Sequence, residues 1–324
     1  MAKTIALKAP GGPDQLTSTD VDMPPPADGE IQLRQSFAGV NFVDIYHRIG
    51  LYPLPGFPAV LGVEGAGVVE AVGRGVHHLQ VGDRVAYAGL PAGGYAERRN
   101  ISASRAVTIP ATIDDRTAAA AMLRGVTAHM LLTQVYPVGA NSTVLIHAAA
   151  GGLGLIVTAW AKRLGARVIG TVGSRAKAEL ALSQGLDHAI LYKETDFVAE
   201  IRALTDGKGV DVAYDGIGGA NLLQTLDAVR PFGLVVSLGQ AAGSLPDIPL
   251  AELGPRRSLS LARPSVFAYA NDPASYRKAT AALFDQIAAG LKVLVGAELP
   301  LAEAAQAQVM LEKGETIGSI LLVP

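Results

Sequence analysis

The 324-residue chain contains no cysteine, which excludes disulfides and thiolate metal sites. A surplus of one charge sign is also missing. Lys and Arg number 27 against 29 Asp and Glu, the formal net charge is −2, and the two signs are interspersed. That balance leaves no electrostatic footprint for nucleic acid or for an anionic membrane surface. No uninterrupted apolar run is long enough to span a membrane. The N-terminal segment 1–8 alternates like a strand and lacks the apolar core of a secretory signal, so a cytoplasmic protein is expected. Apolar residues, in contrast, make up 49% of the chain and charged ones only 17%, enough to build a large core. The length predicts two domains.

The densest local signal lies in segment 143–154, Thr-Val-Leu-Ile-His-Ala-Ala-Ala-Gly-Gly-Leu-Gly. Val144–Ile146 reads as a buried strand, the small residues as a tight turn, and Leu153–Leu164 as an amphipathic helix. Strand, glycine turn and helix together form a phosphate cradle, because glycines admit close backbone approach and a helix N-terminus offers free N–H groups. The first glycine of the usual G-x-G-x-x-G pattern is replaced, giving Ala149-x-Gly151-x-x-Gly154.

Arg167–Thr171 reads as the next parallel strand, closing a βαβ unit of about 30 residues. In units that bind NAD, an acidic residue beyond this strand accepts the ribose 2′-hydroxyl. No Asp or Glu occurs between Val168 and Ala178; the strand end carries Gly173, Ser174 and Arg175, with Lys177 beyond. A carboxylate would repel a 2′-phosphate, whereas a hydroxyl and two cations accommodate one. NADP(H) is therefore expected over NAD(H). Cations at the start of a helix over 175–183 fit poorly with the helix dipole unless an anion sits there.

Strands at 189–191, 210–214 and 233–238 alternate with helices at 196–204 and 221–229, the pattern of a doubly wound parallel sheet. Ligands of such sheets lie beyond the carboxyl ends of the strands, where Tyr192, Asp215, Leu238 and Gly239 occur. The first ~120 residues read instead as mostly β. Short strands at 31–37, 67–72, 83–88 and 95–98 are separated by Gly- and Pro-rich turns. A helix over 117–132 leads into the dinucleotide unit. Later, 272–289 and 301–311 read as helices and 317–323 as a strand. The expected division is 1–124, 125–262 and 263–324, with the third segment returning to the first domain. Asn41 and Asp44 sit where they can cap a helix over 43–49, and Asp44 and Arg48 have the i,i+4 spacing of a surface ion pair. The pair His77-His78 reads as solvated, and His147 as a near-core residue.

Ordered motifs along nearly the whole chain resemble the zeta-crystallin type of quinone oxidoreductase, a zinc-independent branch of the medium-chain dehydrogenase/reductase superfamily. The resemblance is carried by Asn41-Phe-Val-Asp44-Ile-Tyr46, Arg48-Ile-Gly50-Leu-Tyr52-Pro53, Gly62-Val-Glu64-Gly-Ala-Gly67, Gly82-Asp83-Arg84-Val85, Gly125-Val-Thr127, the 147–154 turn, Tyr214-Asp215 and Arg263-Pro264-Ser265. It implies a Rossmann cofactor domain inserted in a GroES-like catalytic domain. It further implies NADPH-dependent reduction of quinones or other conjugated carbonyls by electron or hydride transfer, and a homodimer.

Carried over residue by residue, the resemblance assigns Asn41, Tyr46, Tyr52 and Thr127 to the nicotinamide and substrate end. Ala150, Gly151, Gly152, Leu153 and Gly154 would hold the pyrophosphate. Gly173, Ser174, Arg175, Lys177 and Tyr192 would surround the 2′-phosphate, and Asp215, Leu238, Gly239 and Arg263 would complete the cofactor site. The chain departs from zinc-dependent relatives, since the Gly-His-Glu position reads Gly62-Val63-Glu64 and no cysteine ligand exists. It also carries Gly314 where close relatives often have a phosphate-binding Arg, leaving Lys313 or Arg175 as substitutes. Without a metal, catalysis would rest on stacking the acceptor, excluding water and donating hydrogen bonds to a developing oxyanion. A 2-alkenal or enoyl-thioester reductase uses the same hydride geometry, and a structural, crystallin-like or RNA-binding protein is the alternative from another class.

Overall fold

A computed structural model describes all residues from Met1 to Pro324. In chain order the first part contains β1 (Ala2–Leu7), β2 (Leu16–Val21), β3 (Glu30–Val40), α1 (Phe42–Arg48), β4 (Ala59–Val60), β5 (Glu64–Val72), β6 (Arg84–Ala88), β7 (Arg98–Ser102), β8 (Val107–Thr108) and α2 (Asp115–His129). The middle part contains β9 (Thr143–Ile146), α3 (Gly152–Arg163), β10 (Arg167–Val172), α4 (Arg175–Ser183), β11 (His188–Leu191), α5 (Phe197–Leu204), β12 (Val210–Asp215), α6 (Gly219–Ala228), β13 (Val229–Ser237), α7 (Leu250–Leu253) and β14 (Ser260–Ala262). The last part contains α8 (Val266–Asn271), α9 (Pro273–Ala288), β15 (Val295–Pro300), α10 (Ala304–Glu312) and β16 (Ser319–Val323). The chain divides into two compact units, one formed by Met1–Val126 with Phe267–Pro324, the other by Thr127–Val266.

The second unit is built on a six-stranded sheet in the order β11-β10-β9-β12-β13-β14, and every pairing in it is parallel. This is the doubly wound sheet that the β/α alternation predicts, with its topological switch between β9 and β12. The strands are apolar because helices cover both faces of such a sheet. Val144, Leu145 and Ile146 of β9 are each at most 3% exposed. Helix starts are marked by side-chain caps: Ser174 Oγ accepts the Lys177 N–H at α4, and Asp196 Oδ1 accepts Val198 and Ala199 N–H at α5. The helix expected over 117–132 proves to be α2 followed by a π-helical turn, Met130–Val135. Tyr214, buried in β12, donates its hydroxyl to the Leu131 carbonyl within that turn.

The first unit carries a three-stranded sheet, β2-β1-β4, and a larger sheet along which β15, β16, β3, β5, β6 and β8 follow one another. The long β3 pairs with β5 on one edge and with both β7 and β16 on the other. The strand expected at 95–98 starts later, at Arg98. Tyr95 is instead fully buried in the core formed by Leu7, Val40, Leu61 and Leu322. It bonds through its N–H to the Leu61 carbonyl, outside any strand ladder. Asp272 caps α9 through the Ser275 N–H, with Pro273 at the first helical position. The helix expected over 301–311 begins as a 3₁₀ turn at Leu301–Glu303 before α10.

The i,i+4 surface ion pair expected between Asp44 and Arg48 does not form. Helix α1 is buried, with Asp44 0% and Arg48 2% exposed. Arg48 Nη2 reaches Glu312 Oε1 at 2.6 Å instead, while Asp44 Oδ2 accepts the Asn41 N–H at 2.8 Å and the Tyr95 hydroxyl at 2.9 Å. A helix packed on several sides finds tertiary partners for charges that spacing alone would pair. No helix is long and apolar enough to cross a membrane.

Candidate active site

In the second unit the glycine turn connects β9 to α3 at the switch point. Gly151 caps α3 without any side-chain hydrogen bond, and the first turn of the helix holds no acidic residue. The Gly152, Leu153 and Gly154 N–H groups open the helix, where no carbonyl four residues back is available to them. This arrangement suits an anion. Gly154 is required by its surroundings, since a Cβ there would lie 2.5 Å from the Ala148 carbonyl oxygen and 2.8 Å from Ala149 Cα. Ala148 itself takes φ +52°, a left-handed conformation that costs a non-glycine residue about 1 kcal/mol or more.

Beneath the turn lies a closed polar network. His147 is 5% exposed, and its Nδ1 and Nε2 meet Thr171 Oγ1 at 2.8 Å and Thr225 Oγ1 at 2.9 Å. Thr225 Oγ1 donates to Asp215 Oδ2 at 3.0 Å, which also accepts Asn221 Nδ2, and Asp215 Oδ1 accepts the Ile217 and Gly218 N–H groups. Burial lowers the His147 pKa against the opposing pull of Asp215, which favours the neutral ring. His147 and Asp215 thus join β9 to β12 and α6 and hold the backbone at the switch point; the ring is satisfied on both sides. Leu238 N–H donates to the Asp215 carbonyl at 2.7 Å, and Arg263 Nη1 donates to Ser237 Oγ at 3.0 Å.

At the end of β10, Gly173 faces Tyr192: a Cβ on Gly173 would sit 3.4 Å from the Tyr192 hydroxyl and 3.6 Å from Lys193 Cε. Partial burial and the neighbouring Lys193 ammonium lower the Lys177 pKa. Lys193 is a member of this cluster that sequence reasoning did not reach, because it follows β11 and not β10. Arg175 pairs with Glu194 at 3.5 Å, both exposed. The helix start therefore gathers cations where the dipole favours anions.

The residues assigned to the acceptor fall into two groups. Thr127, half-buried on α2, belongs to the second unit. Asn41, Tyr46 and Tyr52 belong to the first, with the Tyr46 and Tyr52 rings edge-on at 5.3 Å and the Tyr52 carbonyl 3.1 Å from His47 Nδ1. Asn41 precedes α1 and donates Nδ2 to Glu64 Oε1 at 2.7 Å. Glu64 is 0% exposed, and its carboxylate also accepts Arg124 Nη1 at 2.5 Å and the Leu123 N–H at 2.7 Å. Burial raises the Asp44 carboxyl from 3.8 to about 7, against the lowering effect of the Asn41 N–H and the Tyr95 hydroxyl.

Two family models match the chain: an alcohol dehydrogenase GroES-like domain over residues 27–111, and a zinc-binding dehydrogenase over residues 152–285. A quinone oxidoreductase of Pseudomonas aeruginosa is 42% identical over 325 residues, covering 100% of both chains. The chain belongs to the quinone oxidoreductase family of the medium-chain dehydrogenases/reductases. The crystal structure of the Escherichia coli quinone oxidoreductase complexed with NADPH superposes with a TM-score of 0.97 at 41% identity, over 99% of this chain and 100% of that one. A 2-haloacrylate reductase from a Burkholderia species is 41% identical, over 100% of this chain and 99% of its own.

The name of the second family model raises the question of zinc, and the residues present do not fit that ion. Val63 offers no donor atom, the chain has no cysteine, and both oxygens of Glu64 are already bonded. No group of three or more His, Asp or Glu side chains is placed to hold a metal. NADPH does fit. The uncapped start of α3 suits a pyrophosphate, Gly154 lets the helix close onto the Ala148–Ala149 backbone, and the cations around Gly173 suit a further phosphate.

Proposed function

We propose that this quinone oxidoreductase family member uses NADPH to reduce quinones to hydroquinones. The observation that carries the reading is the pairing of an uncapped glycine turn at the sheet's switch point with a cation-bearing strand end at Gly173, Ser174, Arg175 and Lys177, which has no carboxylate of its own and whose neighbour Glu194 is paired with Arg175. When bound, NADPH supplies the two electrons and one hydrogen as a hydride equivalent; the second proton of the hydroquinone comes from solvent, and NADP⁺ leaves.

Gly151–Gly154 would hold the pyrophosphate, with Ala150 leading into them, and Leu238, Gly239 and Arg263 would complete the cofactor site, while the buried Asp215 would support it only through the backbone it holds. Gly173, Ser174, Lys177 and Tyr192 would hold the 2′-phosphate. Asn41, Tyr46, Tyr52 and Thr127 would orient the acceptor, exclude water and donate hydrogen bonds to the oxygen on which charge develops. A quinone suits such a site because aromatisation drives its reduction. We further assign the protein to the cytoplasm as a homodimer, for which sedimentation of the purified chain is the check.

Reduction of an activated carbon–carbon double bond is the second reading, favoured by the comparable similarity to the 2-haloacrylate reductase. One experiment separates the two. NADPH and NADH oxidation are followed with 1,4-benzoquinone, a 2-alkenal, an enoyl thioester and 2-chloroacrylate as acceptors. Fastest turnover of benzoquinone with NADPH supports the first reading. Turnover confined to the alkenes supports the second, and equal use of NADH removes the 2′-phosphate assignment.

A further inference from the structure

We infer that Glu64 and Arg124 form a positioning strut that fixes the Asn41 amide, so that Glu64 acts on turnover through Asn41 and not by touching the acceptor. The inference rests on the proposed role of Asn41 at the acceptor.

Three contacts pin the backbone and side chain around this one residue. Arg124 Nη2 donates to the Val40 carbonyl at 2.8 Å, immediately before Asn41. Asp44 Oδ2 accepts the Asn41 N–H at 2.8 Å. Glu64 Oε1 accepts Asn41 Nδ2 at 2.7 Å. An amide can meet a carboxylate only through its NH₂ end, because an ionised carboxylate has no hydrogen to donate. Glu64 thus fixes the NH₂ end of the Asn41 amide, while in the capping box that opens α1 the Asp44 N–H meets its oxygen end. Glu64 takes one of the two Nδ2 hydrogens and leaves the other as the remaining donor.

The strut itself is rigid. Glu64 is 0% and Arg124 8% exposed at the side chain. The Leu123 N–H holds the second Glu64 oxygen, and Arg124 Nη1 also reaches the Ala120 carbonyl at 3.1 Å. Room for the carboxylate is left by Gly39 on β3, where any side chain would collide with Glu64. As a stabilising device the pair is a poor choice, since apolar residues of similar volume often do as well or better than a buried ion pair. What apolar residues cannot supply is a fixed acceptor for one amide hydrogen.

The test is a double-mutant cycle on kcat with NADPH and 1,4-benzoquinone, using Asn41→Ala, Glu64→Gln and their combination, with the Kd for NADPH and the urea midpoint measured for each. We expect Glu64→Gln to lower kcat about 10- to 100-fold, the range in which a misplaced group falls, with the NADPH Kd unchanged. We expect the combined variant to be no slower than Asn41→Ala alone. If Asn41→Ala is slow but the two losses multiply, the strut is overturned while the acceptor role of Asn41 stands. An unchanged Asn41→Ala overturns that role and the strut with it. If Glu64→Gln does not fold because Arg124 loses its counter-charge, Glu64→Gln with Arg124→Gln takes its place in the cycle under the same criteria.

Discussion

Arg48 Nη2 lies 2.6 Å from Glu312 Oε1, joining α1 near the start of the first unit to the end of α10, 264 residues later. The Arg48 side chain is 3% exposed and that of Glu312 36%. Breaking the pair from either side is not equivalent. Glu312→Ala leaves a buried guanidinium without its carboxylate and is expected to cost about 2–3 kcal/mol, as for other charged hydrogen bonds. Arg48→Met removes the charge while keeping an apolar stem and is expected to cost less. Urea unfolding of both variants checks the order; equal costs would show that the charge contributes nothing beyond packing.

Asp44 makes stability depend on pH in a direction opposite to most carboxylates. Its pKa is about 7 in the folded protein, mainly through burial, against an ordinary 3.8. The folded state thus binds a proton that the unfolded state has released. The contribution is complete below the unfolded pKa and is lost as pH rises through 7. At about 1.4 kcal/mol per pH unit, it amounts to about 2–3 kcal/mol between pH 5 and pH 8. Asp44→Asn abolishes this slope. The difference in unfolding free energy between Asp44→Asn and the parent, measured at both pH values, should shift in favour of the variant at pH 8. A difference that does not change with pH would assign Asp44 an ordinary pKa.

Two substitutions in the glycine turn should act in opposite directions. Gly154→Ala drives a methyl group against the Ala148 carbonyl at 2.5 Å, and both contacting groups are backbone. A loss of about 1–3 kcal/mol in stability is expected, along with at least a tenfold weaker Kd for NADPH. Ala148→Gly relieves the left-handed conformation at φ +52° and should gain up to about 1 kcal/mol. Thermal melting and NADPH fluorescence titration read both effects.

Cofactor choice should follow Lys177 more than Arg175. Arg175 is already paired with Glu194 at 3.5 Å and is largely exposed. Lys177 is partly buried, and Lys193 crowds it with like charge, so an anion between them is favoured. Lys177→Ala is expected to raise the NADPH Kd about tenfold, or about 1.4 kcal/mol, and to leave that for NADH unchanged. Arg175→Ala should do less. Parallel losses for both nucleotides would place Lys177 away from the 2′-phosphate.

The sequence revealed the second unit far better than the first. Parallel strands between helices are continuously apolar, and helices such as Arg175–Ser183 have a capping serine directly before them, so each element is marked within its own residues. The strands of the first unit find their partners far along the chain. Tyr95 looks like a strand residue and is buried, yet its position is set by Leu61 and Asp44. Glu64 shows the same limit at the candidate site. Read locally, Gly62-Val63-Glu64 is a metal motif lacking its histidine. Its partner Arg124 lies 60 residues away, and only the fold shows that the carboxylate is the centre of a network. The one local hint was a carboxylate within the apolar run Val63–Val69, since a charge there must be either exposed or paired.

Strand β16 is an interior strand of its sheet, between β15 and β3, with Ile320, Leu321 and Leu322 opposite Val40, Gly39 and Ala38. Synthesis runs from the other end. The second unit is complete in sequence once Val266 has been made, whereas the first waits for residues 319–323 before its larger sheet can close. Until then the Ala38–Val40 edge of β3 is open, and open edges invite pairing with other chains. The unit that the second one interrupts is therefore completed after it, and the sheet beside Asn41 is sealed only when β16 pairs with β3.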